Sequence, residues 1–95
     1  MNIRWLSTAL AELDHIHERI ARANPKAATQ VFLRIRRATR QLAEFPMAGR
    51  LGHVEGTREV VVSNLPYLVV YRVTEDSVEI LRVLHTAMDR SPGTM

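Results

Sequence analysis

The dipeptide Asn24-Pro25 constrains this chain more than any other pair, because it interrupts what would otherwise be one long amphipathic run. From Ala9 to Arg22 the apolar residues Leu10, Leu13, Ile16 and Ile20 recur at steps of three and four, with Glu12, Asp14, Glu18, Arg19 and Arg22 largely elsewhere on the wheel. Asn24 then offers an N-cap side chain, and a proline at the first helical position forfeits no hydrogen bond. A second helix is predicted from that point, with Ala28, Val31, Phe32, Ile35, Thr39 and Leu42 as its buried stripe. It should stop at Phe45, since Pro46 disfavours helical geometry in the residue before it. Two helices separated only by Ala23-Asn24 must fold back as a hairpin.

A hairpin with one apolar side needs a surface to cover, and the remaining segments read as strands. Ile3-Arg4-Trp5-Leu6 predicts a brief strand ending at a Ser7-Thr8 helix cap. Residues 46–56 carry the breakers of a loop, and three runs rich in β-branched and aromatic residues follow at 58–63, 67–73 and 77–85. Their three-residue links, Asn64-Leu65-Pro66 and Thr74-Glu75-Asp76, require antiparallel neighbours. The expectation is an α+β fold of order β-α-α-β-β-β, with the helical hairpin packed on one face of a small antiparallel sheet. Ninety-five residues suffice for a single domain spanning 1–95, in which 86–95 has no periodicity and reads as a flexible tail.

The strands are apolar on both parities. Val69, Tyr71 and Val73 point one way and Leu68 and Val70 the other; Val78, Ile80 and Leu84 oppose Leu81 and Val83. A sheet solvated on one side should alternate more cleanly, so a second layer is expected from another polypeptide or from the chain's own tail.

Charge and composition narrow the chemistry. Thirteen basic and ten acidic residues give a net charge of +3, and Lys26 is the one lysine among twelve arginines. There is no cysteine, which excludes disulfides, thiolate chemistry and cysteine-bound zinc. No apolar run approaches the ~20 residues of a spanning helix, so a soluble, cytoplasmic protein with no membrane role is expected. His15 and His17, two apart on a helix, point in different directions, and no metal site or cofactor is legible. The second helix carries Lys26, Arg34, Arg36, Arg37 and Arg40, a row that suits phosphates, an acidic protein or plain solvent. His85 ends the last strand at the sheet's rim, near whichever of Arg58, Arg72 and Arg82 share its face, a group fit for an anion or for acid/base work as well as for a structural role. Arg50 and Arg58 each lie in or beside a glycine-containing turn, with forks free for a carboxylate of a partner or of Glu44, Glu55 or Glu59.

The blocks Asn24-Pro25-Lys26-Ala27-Ala28, Leu42-Ala43-Glu44-Phe45-Pro46-Met47-Ala48-Gly49-Arg50, Gly56-Thr57-Arg58-Glu59, Pro66-Tyr67-Leu68-Val69-Val70-Tyr71-Arg72-Val73 and Ile80-Leu81-Arg82-Val83-Leu84-His85, with Trp5 before the first helix, resemble successive parts of the RelE/ParE superfamily of bacterial toxins. The likeness spans about residues 3 to 90. It implies a toxin of a type II toxin-antitoxin module, held by a cognate antitoxin with an acidic toxin-binding segment in a heterodimer or heterotetramer. The superfamily includes ribosome-dependent mRNA endonucleases and ParE-type toxins that poison DNA gyrase.

Nucleases of the RelE kind place several basic groups on the first meander strands, where this chain has Glu59-Val60-Val61-Val62-Ser63, so the resemblance favours a ParE-like toxin that acts by binding. Arg50, Arg58, Arg72, Arg82 and His85 are then the expected target-binding residues, and Leu10, Leu13, His17, Leu68, Val70, Leu81 and Val83 the expected antitoxin contacts. The alternative is a RelE- or YoeB-like enzyme using Glu59 with Arg50, Arg58 and His85 on ribosome-bound mRNA; a non-toxic interaction module is a second alternative. A short reading frame coding for an acidic protein is expected directly upstream of this one, and sequencing of the locus checks it.

Overall fold

In the computed structural model, which describes residues 1–88, Asn24 caps a helix as its sequence position demands: its Oδ1 accepts the Ala27 amide at 3.0 Å, with Pro25 as the first helical residue. The order is β1 (Asn2–Trp5), α1 (Ser7–Ala21), α2 (Pro25–Gln41), β2 (Arg50–Leu51), β3 (Arg58–Val61), β4 (Tyr67–Val73) and β5 (Ser77–His85), closed by a 3-10 turn at Thr86–Met88. Helix α2 ends at Gln41, four residues short of the stop expected at Phe45; the chain keeps turning through Leu42 to Phe45, whose amide donates to the Gln41 carbonyl, and a further turn at Pro46–Met47 brings the Ala48 amide to the Phe45 carbonyl. The expected cap at Ser7-Thr8 is absent: Leu6 occupies that position with no side-chain bond, and Ser7 is already helical. Of the predicted 86–95 tail, the Thr86 amide is bonded to the Pro66 carbonyl, and 89–95 lie outside the described residues.

The sheet has five strands in the order β1-β5-β4-β3-β2. Two features exceed the sequence expectation. The two-residue β2 pairs with β3, and β1 runs parallel to β5, so an otherwise antiparallel meander becomes a mixed sheet. The α1–α2 connection supplies the long crossover that a parallel pair requires.

The helices cover one face. Leu13 and Ile16 of α1 and Ile35 of α2 meet Val69, Tyr71, Val78, Ile80 and Val83, all buried, with Trp5 and Phe32 packed at the margin. Each such side chain contributes roughly 1.5–3 kcal/mol by burial. Between Val70 and Tyr71 of β4 the register with β5 slips by one residue, from Val70↔Arg82 to Tyr71↔Ile80. Leu81 is the extra residue, and the bulge exchanges the two faces of β5 beyond it. Val83 therefore joins Ile80 in the core, whereas Leu84 lies opposite Leu68 on the other face, which reverses the alternation expected for those two.

The face away from the helices is not a bare apolar plane. Arg4, Glu79 and Arg72 form one lateral row across β1, β5 and β4, in which Glu79 takes both guanidinium groups. Leu68 is 1% exposed there and Val61 51%. Among the described residues, no helix is long and apolar enough to cross a membrane.

Replacing Asn24 with Ala should cost about 1 kcal/mol of stability, and replacing it with Gly a few tenths, as read by urea denaturation. Parental stability in both variants would show that the side-chain cap contributes nothing.

Candidate functional site

The residues proposed from sequence fall into three separate places. At the β2–β3 end, Arg58 shares the helix-side face with Tyr71, and both turn toward the loop at 46–49. Arg58 donates through Nη1 to the carbonyls of Gly49 (2.8 Å) and Met47 (3.5 Å). The Tyr71 hydroxyl donates to the Pro46 carbonyl and accepts the Gly49 amide, each at 2.8 Å. A Cβ on Gly49 would lie 2.6 Å from that hydroxyl and 2.7 Å from the Glu59 carbonyl, so the loop closes this tightly only around glycine. Glu59, 4% exposed, accepts from Arg50 at 3.1 and 3.3 Å and from the His53 amide at 3.4 Å, with His53 Nδ1 3.6 Å away. Arg50 and Glu59 thus make the internal ion pair that the sequence left open, while Arg58 clamps carbonyls and no carboxylate.

The second place is the row across β1, β5 and β4, where Arg72 is held by Glu79. The third is a cleft of about 540 Å³ between α1 and the far half of β5. It exists because β1 is short. The last bond between the two runs from the Leu6 amide to the Ile80 carbonyl, and beyond it β5 has no neighbouring strand on that side among the described residues. Glu12 of α1 fills part of the gap: Oε1 accepts the Val83 amide at 2.8 Å, and Oε2 accepts Arg82 Nε and Nη2 at 2.9 and 2.6 Å. This hydrogen bond, more than the charge of Glu12, holds Arg82 above the ordinary arginine range against the opposing effect of burial. Arg82 is a fixed cation at every accessible pH.

Ile16, Tyr67, Val83 and Leu84 give the cleft an apolar lining. Around it stand His15, Arg19, Arg82 and His85. Arg19 donates to the Tyr67 hydroxyl at 3.2 Å, and the Tyr67 and His85 rings meet edge to face with centroids 5.5 Å apart. His85 Nδ1 accepts the Ala87 amide at 3.1 Å, which leaves Nε2 as the proton-bearing nitrogen of the neutral ring.

The expected antitoxin contacts distribute differently. Leu13, Leu68 and Val83 are buried by the chain's own packing; Val70, Leu81 and His17 are half-buried, with His17 edge-on to Phe32 of α2; Leu10 is exposed. Leu10, Leu13 and His17 lie on the flank of α1 roughly opposite the one that faces the cleft, given about 100° per residue. Glu12, His15 and Arg19 were missed as site residues because charge at those positions reads simply as the solvent side of an amphipathic helix.

Residues 3–90 match the family described as the ParE toxin of the type II toxin-antitoxin system parDE. The chain belongs to the ParE toxin family. It is 46% identical over 83 residues to the protein named "Putative toxin Y4kP" of Sinorhizobium fredii, covering 87% of this chain and 85% of that one. It is 40% identical over 83 residues to Toxin RelE2 of Caulobacter vibrioides, covering 87% of this chain and 92% of that one. A solved chain of the chromosomal ParDE system from P. aeruginosa superposes with a TM-score of 0.82 at 26% identity, over 90% of this chain and 95% of the other. As a type II toxin of the ParE family, the chain has an antitoxin for a partner.

The loop clamps make a stability prediction for this ParE-family toxin. Tyr71→Phe removes a hydroxyl with two backbone partners and should cost about 1–3 kcal/mol. Urea denaturation reads the loss, and faster hydrogen exchange at the Gly49 amide should accompany it; parental stability would assign the fold of 46–49 to other contacts.

Proposed function

We propose that this toxin acts by binding and poisoning DNA gyrase, and that its antitoxin neutralises it by seating an acidic, apolar-anchored segment in the cleft between α1 and β5. The placement of the four residues a nuclease would need carries the first part. Glu59 pairs with Val70 on the face away from the helices, whereas His85 pairs with Tyr67 on the helix side. Strand spacings put their backbones roughly 14 Å apart, beyond the hydrogen-bond reach that one reacting ribose demands of its acid and base. Glu59 is moreover enclosed by Arg50 and His53, and Arg58 is occupied by the Gly49 carbonyl. General acid–base catalysis contributes ~10²–10⁴ in rate when its groups converge, and this arrangement holds them apart.

The second part rests on complementarity. The cleft offers an apolar floor and an unpaired strand segment, framed by Arg19, Arg82 and two histidines against the single carboxylate of Glu12. An acidic peptide with one or two aliphatic side chains satisfies both, and like-signed partners are rejected.

Purified chain should inhibit gyrase supercoiling and trap cleaved DNA, while mRNA on translating ribosomes remains uncut in end-mapping. Codon-positioned RNA cuts without any effect on gyrase would replace this reading with the endonuclease. For the cleft, Arg19→Glu should weaken antitoxin binding at least tenfold in calorimetry while leaving the melting temperature within a few degrees; an unchanged affinity would move the antitoxin elsewhere.

A further inference from the structure

Helix α2 has Lys26, Arg34, Arg36, Arg37 and Arg40 and no acidic residue between Pro25 and Gln41. Since the whole chain carries +3, everything outside α2 sums to 8 − 10 = −2. The surplus positive charge therefore resides on one helix. Elsewhere four arginines are paired with carboxylates, Arg4 and Arg72 with Glu79, Arg50 with Glu59 and Arg82 with Glu12, while Arg58 and Arg19 bond backbone carbonyls and the Tyr67 hydroxyl. On α2 there is no ion pair among the described residues. Arg34 donates to the Ser63 carbonyl, Arg36 lies over the Trp5 and Phe32 rings, and Lys26, Arg37 and Arg40 have no acceptor.

At about 100° per residue, Lys26, Gln30, Arg34, Arg37 and Gln41 share some 80° of helix surface over about 22 Å, with Arg40 on the flank. Cations three and four apart on a helix repel one another, and no acidic residue of this helix relieves them. Beside them, Arg34, Arg37, Gln41 and Ser63 line a notch of about 170 Å³ between α2 and the end of β3. Two guanidinium forks, an amide and a hydroxyl make a donor set suited to a phosphodiester.

We propose that the outer face of α2 docks on the phosphate backbone of duplex DNA, with one phosphate in the Arg34/Arg37 notch. The surface is separate from the cleft and from the cluster around Glu59. Two absences on this face select the occupant. Between Lys26 and Gln41 it has no exposed aromatic side chain among the described residues; Phe45, exposed one turn beyond Gln41, stands alone, whereas single strands require a succession of stacking platforms. Between Lys26 and Gln41 its one large exposed apolar residue among the described residues is Leu33, with Phe45 and Val61 exposed beyond the Gln41 end, so five cations and two amides rather than an apolar centre dominate this face, unlike the apolar and aromatic anchors that a protein partner would need. Because the contacts are to phosphate, binding is insensitive to sequence and strongly dependent on salt.

The test is fluorescence anisotropy of a labelled 20-base-pair DNA duplex with the full chain between 50 and 200 mM salt. Log affinity should fall against log salt with a slope of about −4, and R37Q/R40Q should reduce that slope by about 2 and the affinity roughly 60-fold at 0.1 M salt. Arg37 and Arg40 are exposed and unbonded, so the variant should melt as the parent does; if it does not, Arg37→Gln alone should reduce the slope by about 1. Arg4→Gln, which removes one cation on the opposite side of the molecule, should leave the slope unchanged. Three results would overturn the proposal: an equal loss in Arg4→Gln, which means diffuse net charge; tighter binding of a duplex RNA of the same length; or displacement of the DNA by poly-glutamate at a lower concentration of charge, which means an acidic protein. Gyrase inhibition enters none of these readouts, so the two proposals fail independently.

Discussion

A four-residue strand laid beside a nine-residue one determines where this molecule can be approached. β1 pairs with Ser77–Ile80 and then gives way to α1 at Ser7, so the second half of β5 is an edge although β5 sits inside the sheet order. An edge with free amides invites another strand, and the usual defences are charge, a bulge or a covering helix. All three are present here. Leu81 bulges, Arg82 is charged, and Glu12 reaches over from α1 to take the Val83 amide. The cover is incomplete, however, and the remaining space is the cleft. A longer β1 would close it and leave no place for a second chain on that side.

The same demand for satisfied polar groups explains why the arginines do not gather into a single reactive centre. Folding the 46–53 loop back on β3 takes the Gly49 amide and carbonyl and the Glu59 carboxylate out of water, and each has to be met. Arg58, Tyr71 and Arg50 meet them. Side chains so engaged are anchored at one end, and using them in catalysis would release the loop they hold. Arg72 and Arg4 are committed in the same way to Glu79.

Much of this architecture was legible in the residues. Asn24-Pro25 placed the hairpin, and the 67–73 and 77–85 strands coincide with their β-branched runs, whereas α2 ends at Gln41, four residues before the stop expected at Phe45. What escaped lacks a local signature. A two-residue strand such as Arg50–Leu51 has no periodicity to read, and the parallel pairing of β1 with β5 joins residues some 75 apart. The bulge at Leu81 arises between strands, so strict alternation put Val83 on the open face when it is in the core. Val83 consequently looked available to a partner. The cleft was invisible because it is an absence of pairing, and its polar members lie on the side of α1 that periodicity assigns to solvent.

The two recognition surfaces can be occupied at once. His17 of α1 packs edge-on against Phe32 of α2, which fixes the contact between the helices on the flank of α1 remote from Glu12 and Arg19. A peptide in the cleft therefore rests against α1 and β5 and need not touch the outer face of α2. Its acidic residues would neutralise Arg19 and the histidines locally. Charges on α2 lie farther off, and those beyond about 8–10 Å are largely screened at physiological salt. Filling the cleft then leaves most of the field of α2 in place. Only an antitoxin long enough to continue around the hairpin would quench it, and whether it does so decides if the complex keeps the polyanion affinity of the free toxin.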